Sequence, residues 1–343
     1  MSLPTASFDS ALAVANAAQR LAKGGLVAFP TETVYGLGAD AENPAAIERI
    51  YAAKGRPANH PVIVHIAPGA DIGYWAAHVP PEANALIEAF WPGPLTLILP
   101  RAAHIPAAVS GGQDSIGLRC PSHPVAQALL REFAGLKPGG QGGVAAPSAN
   151  KFGHVSPTQA AHVRAEFPEL CDTGMPVLEG GPSQVGIEST ILDLSRLDQG
   201  QRPALLRPGH VTAAQIAHVL GVEPSRPDAA APRVSGSLKA HYAPHTPLSI
   251  AALPDLLAAV EKSSERSERV AAVVFDMVPS GAPPGVDWSV VASQPDAYAR
   301  GLYALLRRLD KQGYARIFLQ QPPPTADWQA VNDRIGRAAA AFL

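Results

Sequence analysis

The 343-residue chain has only two cysteines, Cys120 and Cys171, far apart and in no CxxC arrangement. A disulfide framework or cysteine-based zinc site is thereby excluded; the pair reads as two small hydrophobes in or near a core, fitting a reducing cytoplasm. No apolar run approaches the ~18 residues of a membrane span. The N-terminus shows no basic stretch followed by an apolar core, so no signal peptide is expected and a soluble cytoplasmic protein is. An excess of either charge is also missing: the formal net charge is −2, and residues 1–210 carry 14 Lys and Arg against 17 Asp and Glu. This balance weighs against a general nucleic-acid binder, and any anion site must be built from locally gathered cations. Neither GxxxxGK[ST] nor GxGxxG followed by a ribose-binding acid occurs, so nucleotide binding would have to proceed without either fingerprint.

What the chain does have is apolar material, 47% hydrophobic against 16% charged residues, enough for a sizeable core. Its length fits two domains at about 150 residues each. The 35 prolines and 30 glycines follow no period and punctuate many loops. SFDSALAVANAAQRLAKGG predicts a helix opened by Asp9 or Ser10, and NPAAIERIYAAKG a second, capped by Asn43 and stopped by Gly55. Between them GLVAF reads as a buried strand and PTETVYGLGAD, residues 30–40, as a loop crowded with hydrogen-bonding groups. PVIVHI, PLTLILP, SIGLRCP, GGVAAP, IESTILDLS and PALLR follow as strands, with PEANALIEAF a helix. The alternation predicts an α/β protein with helices covering a twisted sheet, in an order too irregular for a plain doubly wound fold.

From about Val211 the texture changes. A short helix, VTAAQIAHVLG, leads into PSRPDAAAPRVSGSLKAHYAPHTP, where no periodicity survives. Residues 1–210 therefore read as one domain, 211–247 as a linker, and 248–343 as a second, small α/β unit.

Four polar clusters fall at predicted strand ends, where open α/β sheets place ligands. They are PTETVYGLG; KGRPANHP with the strand ending at His65; the strand Ser115–Arg119; and APSANKFGHVSPT, with Ser148, Asn150, Lys151 and Ser156. Each alone has an ordinary explanation: Lys54 favours a helix C-terminus and SPTQAA could cap a helix. Together, Lys54, Arg56, Arg119, Lys151 and Arg207 are five of only 14 cations in residues 1–210. Cations gathered among hydroxyls and amides suit a small polyanion such as a nucleoside triphosphate. His241 and His245 have i, i+4 spacing, but Pro244 breaks any helix between them, which argues against a zinc pair.

In this order, PTETVYGLG, KGRP, PxxVHI, LRxP, APSAN, SPT, GIEST and RPG resemble the YrdC-type domain of threonylcarbamoyl-AMP synthases. SGSLKAHYAPHTP and the unit after it resemble the linker and C-terminal domain of the long form. The resemblance implies a twisted open sheet with a concave face, followed by a small Rossmann-like domain. It implies synthesis of threonylcarbamoyl-adenylate from L-threonine, bicarbonate and ATP, with release of pyrophosphate. Magnesium would accompany the nucleotide, with no protein-only metal site. Downstream threonylcarbamoyl-transferase proteins would use the product to modify the adenosine beside the tRNA anticodon, with tRNA itself at most a weak partner. Carried over by motif, Thr33, His65, Arg119, Ala146 and Ser189 would meet threonine. Arg56, His60, Ser115, Ser148, Ser156, Arg207 and Tyr242 would meet ATP. Lys54 would face the phosphates and act with Arg56 in catalysis, while Asn150 either orders its loop or meets the nucleotide. Tyr242 would ride on a lid formed by the linker. Position 60 is His where many members have Asn, and the GLKPGGQGG loop is longer than usual. Two rivals share the fold: a double-stranded RNA-binding module, and carbamoyl transfer in hydrogenase maturation, which would want segments this chain lacks.

Overall fold

The structure is a computed structural model that describes residues 8–343. Eight strands form the larger sheet: β1 (Val27–Phe29), β2 (Gly36–Asp40), β3 (Ile63–Ile66), β4 (Leu95–Pro100), β5 (Ser115–Arg119), β6 (Gly143–Ala145), β7 (Thr190–Asp193) and β8 (Ala204–Arg207). Their spatial order is β1-β2-β6-β3-β5-β4-β7-β8. Only β3/β5 and β4/β7 are parallel pairs, so the sheet is mixed, in keeping with the irregular order of elements. The second sheet is parallel throughout, ordered β11-β10-β12-β9, from β9 (Leu248–Ala251), β10 (Val270–Phe275), β11 (Asp287–Val291) and β12 (Arg316–Gln320).

Local chemistry explains most elements. The helix Pro44–Lys54 starts where the Asn43 side chain accepts the Ala46 amide and ends at Gly55 in the left-handed conformation. In the second sheet β10, VAAVVF, is apolar throughout because both faces are covered. Val270, Ala272 and Val274 meet the helix Leu253–Glu265, whereas Ala271 and Val273 join the core shared with the helices Pro295–Asp310 and Gln329–Ala339.

Four expectations need correction. The first helix begins at Phe8, so Asp9 and Ser10 fall within it rather than ahead of it. Residues 36–40 are not loop: they return as β2 against β1, fully buried, because glycines at 36 and 38 let the neighbouring Phe29 ring lie against the strand. Ser156 does not cap the following helix, which starts at Ala160 with Gln159 ahead of it. Strand β11 has no forecast counterpart: its DWSVV is half-exposed at a sheet edge and lacks a clean alternation.

Between the helix Ala213–Leu220 and β9, residues 221–247 hold no helix or strand, only isolated bridges. They are nevertheless tied down. Ser225 bonds Pro203 and Leu205 beside β8, and the Arg233 backbone exchanges two hydrogen bonds with the Gln113 side chain. Val234 packs on Ile98, Ile191 and Leu206 of the larger sheet. The segment thus folds back over the open face of the first sheet and crosses the ends of the strands that carry the polar clusters.

Candidate active site

After β1 the chain turns through Thr31–Tyr35. Thr31 organises the turn: its Oγ1 donates to the Val34 carbonyl at 2.6 Å and accepts the amides of Thr33 and Val34 at 3.3 and 3.2 Å. The Thr31 and Thr33 hydroxyls lie 2.9 Å apart. Glu32 is spent on order as well. Its carboxylate accepts Arg119 Nη2 at 2.6 Å and the Ser122 amide at 3.1 Å, and its carbonyl accepts the Val185 amide.

Arg119 and His65 are Cα partners across β5 and β3, which sets them side by side on one face of the sheet. His65 is buried; desolvation, then the Arg119 charge, pushes its imidazole down to about 3, so it is neutral at physiological pH. Arg207, at the end of β8, donates Nε and Nη2 to the Ser189 carbonyl at 3.0 and 2.9 Å. Its Nη1 reaches the Ser235 carbonyl of the returning segment at 2.8 Å. Ser189 Oγ lies 2.8 Å from Thr96 Oγ1.

These groups line one cavity of about 40 Å³, shared by Thr33, His65, Arg119, Ala146, Ser148, Ser189, Arg207 and Tyr242. Thus eight of the residues singled out by motif meet in one place. The Ala146 amide is already committed to the Ile63 carbonyl. A volume of 40 Å³ holds a few waters and neither an amino acid nor a nucleotide. Tyr242, itself 1% exposed, forms part of the wall.

The remaining candidates lie around that cavity. Lys54 Nζ donates to the carbonyls of Ser148 (2.6 Å) and Asn150, pinning the APSAN loop, and burial holds its ammonium well below its ordinary range. Arg56 donates to the Pro61 carbonyl, and burial brings it down to about 10. His60 stands edge-on to Phe152, with ring centres 5.4 Å apart. Ser115 lines a smaller neighbouring void under Arg233, Val234 and Ser235. Asn150 orders its loop, donating to the carbonyls of Lys151 and His154, while its Oδ1 stays unpartnered. Ser156 Oγ donates to Glu188 at 2.5 Å. Of the five gathered cations Arg119 and Arg207 line the cavity, Lys54 and Arg56 stand beside it, and Lys151 is turned to Ala53 and Glu169.

Motif reading singled out neither Glu188 nor His241 for the site, although both line it and sit beside motif residues, in GIEST and HYAP. His241 packs on Phe152 and Tyr242, and burial lowers its imidazole to about 3. His245 is turned outward, its Nδ1 2.9 Å from Asp310 Oδ2, so the two histidines have separate surroundings.

Polar satisfaction supplies an independent pointer. Among the described residues eight buried side-chain nitrogen or oxygen atoms have no hydrogen-bond partner. Five of them, on Arg56, His65, Asn150, His241 and Tyr242, belong to this one region. Buried polar atoms are normally paired, so their concentration here marks a place built for a ligand.

Two family models match the chain: one described as telomere recombination, the Sua5/YciO/YrdC model, over residues 19–209, and one described as threonylcarbamoyl-AMP synthase, C-terminal domain, over residues 211–340. The threonylcarbamoyl-AMP synthase of Bacillus subtilis is 37% identical over 95% of this chain and 92% of its own length. That of Pyrococcus abyssi is 34% identical over 94% and 93%. The crystal structure of P. abyssi Sua5 complexed with L-threonine superposes with a TM-score of 0.84 at 32% identity, covering 96% of this chain and 94% of that one. Sequence, fold and both domain matches agree, and the chain belongs to the two-domain Sua5 family of threonylcarbamoyl-AMP synthases.

Proposed function

We propose that this protein makes L-threonylcarbamoyl-adenylate from L-threonine, bicarbonate and ATP, releasing pyrophosphate and water. The observation that carries this reading is the convergence of Thr33, His65, Arg119, Ser189 and Arg207 on one cavity with unpartnered polar atoms in and around it. The likeness to an archaeal Sua5 crystallised with L-threonine supports an amino-acid site of that kind.

In this reading Arg119 and Thr33 hold threonine, with neutral His65 beside them as a hydrogen-bonding group that adds no charge. The threonine amine takes up the CO2 that bicarbonate yields, its lost proton leaving with the bicarbonate hydroxyl as water. An oxygen of the resulting carbamate then attacks the α-phosphorus of ATP. A new O–P bond forms as the bond to the β-phosphate breaks, and pyrophosphate leaves. Two anions must meet for this to occur, and Arg207, Arg56 and backbone amides offset their repulsion. No side-chain nucleophile is needed. Holding the reactants in line supplies much of the rate.

Magnesium comes with the nucleotide. Glu188 is the cavity's one carboxylate among the described residues, and Arg334, Tyr303 and Ser156 already engage it. The residues present therefore do not form a cage for the ion; triphosphate oxygens and water would hold it. Residues 235–242 must move to admit either substrate, making the returning segment a lid. The product passes, in the cytoplasm, to threonylcarbamoyl-transferase proteins that modify the tRNA adenosine beside the anticodon.

The test is pyrophosphate release by the purified protein with magnesium and ATP. Release that needs both L-threonine and bicarbonate, with serine a poor substitute, is expected. Release indifferent to threonine, or none from a folded protein, would overturn the reading.

A further inference from the structure

A buried carboxylate is an odd wall for a cavity meant to take a polyanion, and Glu188 is such a wall. Most of what neutralises and orients it comes from the C-terminal unit. Arg334, on the helix Gln329–Ala339, donates Nε to Glu188 Oε2 at 2.7 Å, and Tyr303 Oη donates to the same oxygen at 2.9 Å. Burial acts to raise the Glu188 carboxyl, but Arg334, then Arg207 and the hydrogen bonds from Ser156 and Arg334, outweigh it and keep it below its usual range. Arg334 is wholly buried and also bonds the Pro208 carbonyl at 3.0 Å. Its guanidinium carbon lies 5.3 Å from the centre of the Tyr242 ring, on which Tyr303 stacks at 5.9 Å.

The two units need no such charge merely to dock. Val34, Val155 and Ile187 of the first already form one apolar cluster with Tyr298, Leu302 and Leu306 of the second. A buried ion pair in such a seam adds little stability over an apolar pair of similar volume. Its position explains it better: Arg334 touches both the carboxylate that faces the cavity and the aromatic ring that closes it.

We propose that Arg334 is a positioning residue for adenylate formation, cancelling the Glu188 charge and seating the Tyr242 ring so that a triphosphate can occupy the cavity. The C-terminal unit thereby completes a site it does not itself line. This rests on ATP being the polyanion bound there.

The experiment uses the full-length protein and measures magnesium-ATP affinity by calorimetry together with pyrophosphate release. Arg334→Gln is expected to weaken ATP about tenfold or more and to raise KM for ATP more than it lowers kcat, as for loss of a buried charge partner. Adding Glu188→Gln to Arg334→Gln is expected to recover ATP affinity to within about threefold of the parent, because the repelling charge is then gone. Unchanged affinity in the single variant, or no recovery in the double, overturns the proposal. Should Arg334→Gln fail to fold, Tyr303→Phe keeps the stacked ring and removes one hydrogen bond to Glu188. A roughly threefold loss of ATP affinity is expected there, and unaltered affinity counts against the proposal. A parent protein that binds no ATP would instead sink the nucleotide reading itself, and the proposal with it.

Discussion

Arg119 Nη2 and Glu32 Oε1 are 2.6 Å apart, and neither side chain is more than 4% exposed. The arginine expected to grip the threonine carboxylate is thus held on one edge by a partner from the β1–β2 turn, while its Nε is fixed by the Gly93 carbonyl. A guanidinium fixed on two donors presents its remaining ones in a set direction, which a lysine cannot do.

The first prediction follows from that geometry. Arg119→Ala should abolish threonine-dependent pyrophosphate release. Arg119→Lys should raise KM for threonine about 10- to 100-fold, the loss of one or two charge-assisted hydrogen bonds. Glu32→Ala should cost about 3–5 kcal/mol of stability by leaving a buried charge unpaired, read by chemical denaturation.

A second concerns the lid. Tyr242 has φ +62°, an unfavourable backbone for an aromatic residue, and its buried hydroxyl has no partner. Tyr242→Ala should weaken ATP and release adenylate prematurely, seen as product in free solution during single turnover. Tyr242→Gly should lose the same function yet be about 1 kcal/mol more stable than the alanine variant, since glycine carries no penalty at positive φ.

Close approach gives a third. A Cβ on Gly186 would lie 2.4 Å from the Arg300 Cα, and the residue has φ +83°. Gly186→Ala should push the helix Pro295–Asp310 off the GIEST loop and destabilise the protein by about 2–4 kcal/mol, from overpacking plus a strained backbone. Native-state proteolysis should then cut between the two units sooner than in the parent.

The buried histidines give a fourth, in pH. Both His65 and His241 are held down to about 3, against an ordinary value of about 6.5. Between those values the unfolded chain binds more protons than the folded one, so stability is full above about pH 6.5 and falls as pH drops toward 3. Each histidine should contribute a slope of up to ~1.4 kcal/mol per pH unit in that window. His241→Asn should remove about one proton from the slope of unfolding free energy between pH 6 and 4. An unchanged slope would show that His241 protonates freely in the folded state.

Much of this protein is written locally. Asn43 and Gly55 delimit a helix by capping chemistry that needs no tertiary context, and Thr212 with Gln215 does the same as a capping box for Ala213–Leu220. The polar motifs were legible because five of the 14 cations of residues 1–210 gather with hydroxyls and amides at strand ends, and their order carried the family. What the chain alone could not show was how the loop residues divide between ligand and scaffold. Thr31 and Thr33 are two residues apart, chemically alike and both at the cavity, yet the Thr31 hydroxyl is consumed by its own turn, donating to the Val34 carbonyl and accepting two amides. Lys54, read from its motif as a phosphate ligand, donates to two backbone carbonyls. Only the tertiary structure sets Arg334 against Glu188, 146 residues apart. Pairings at that distance depend on how two cores dock, and no local periodicity or propensity encodes them.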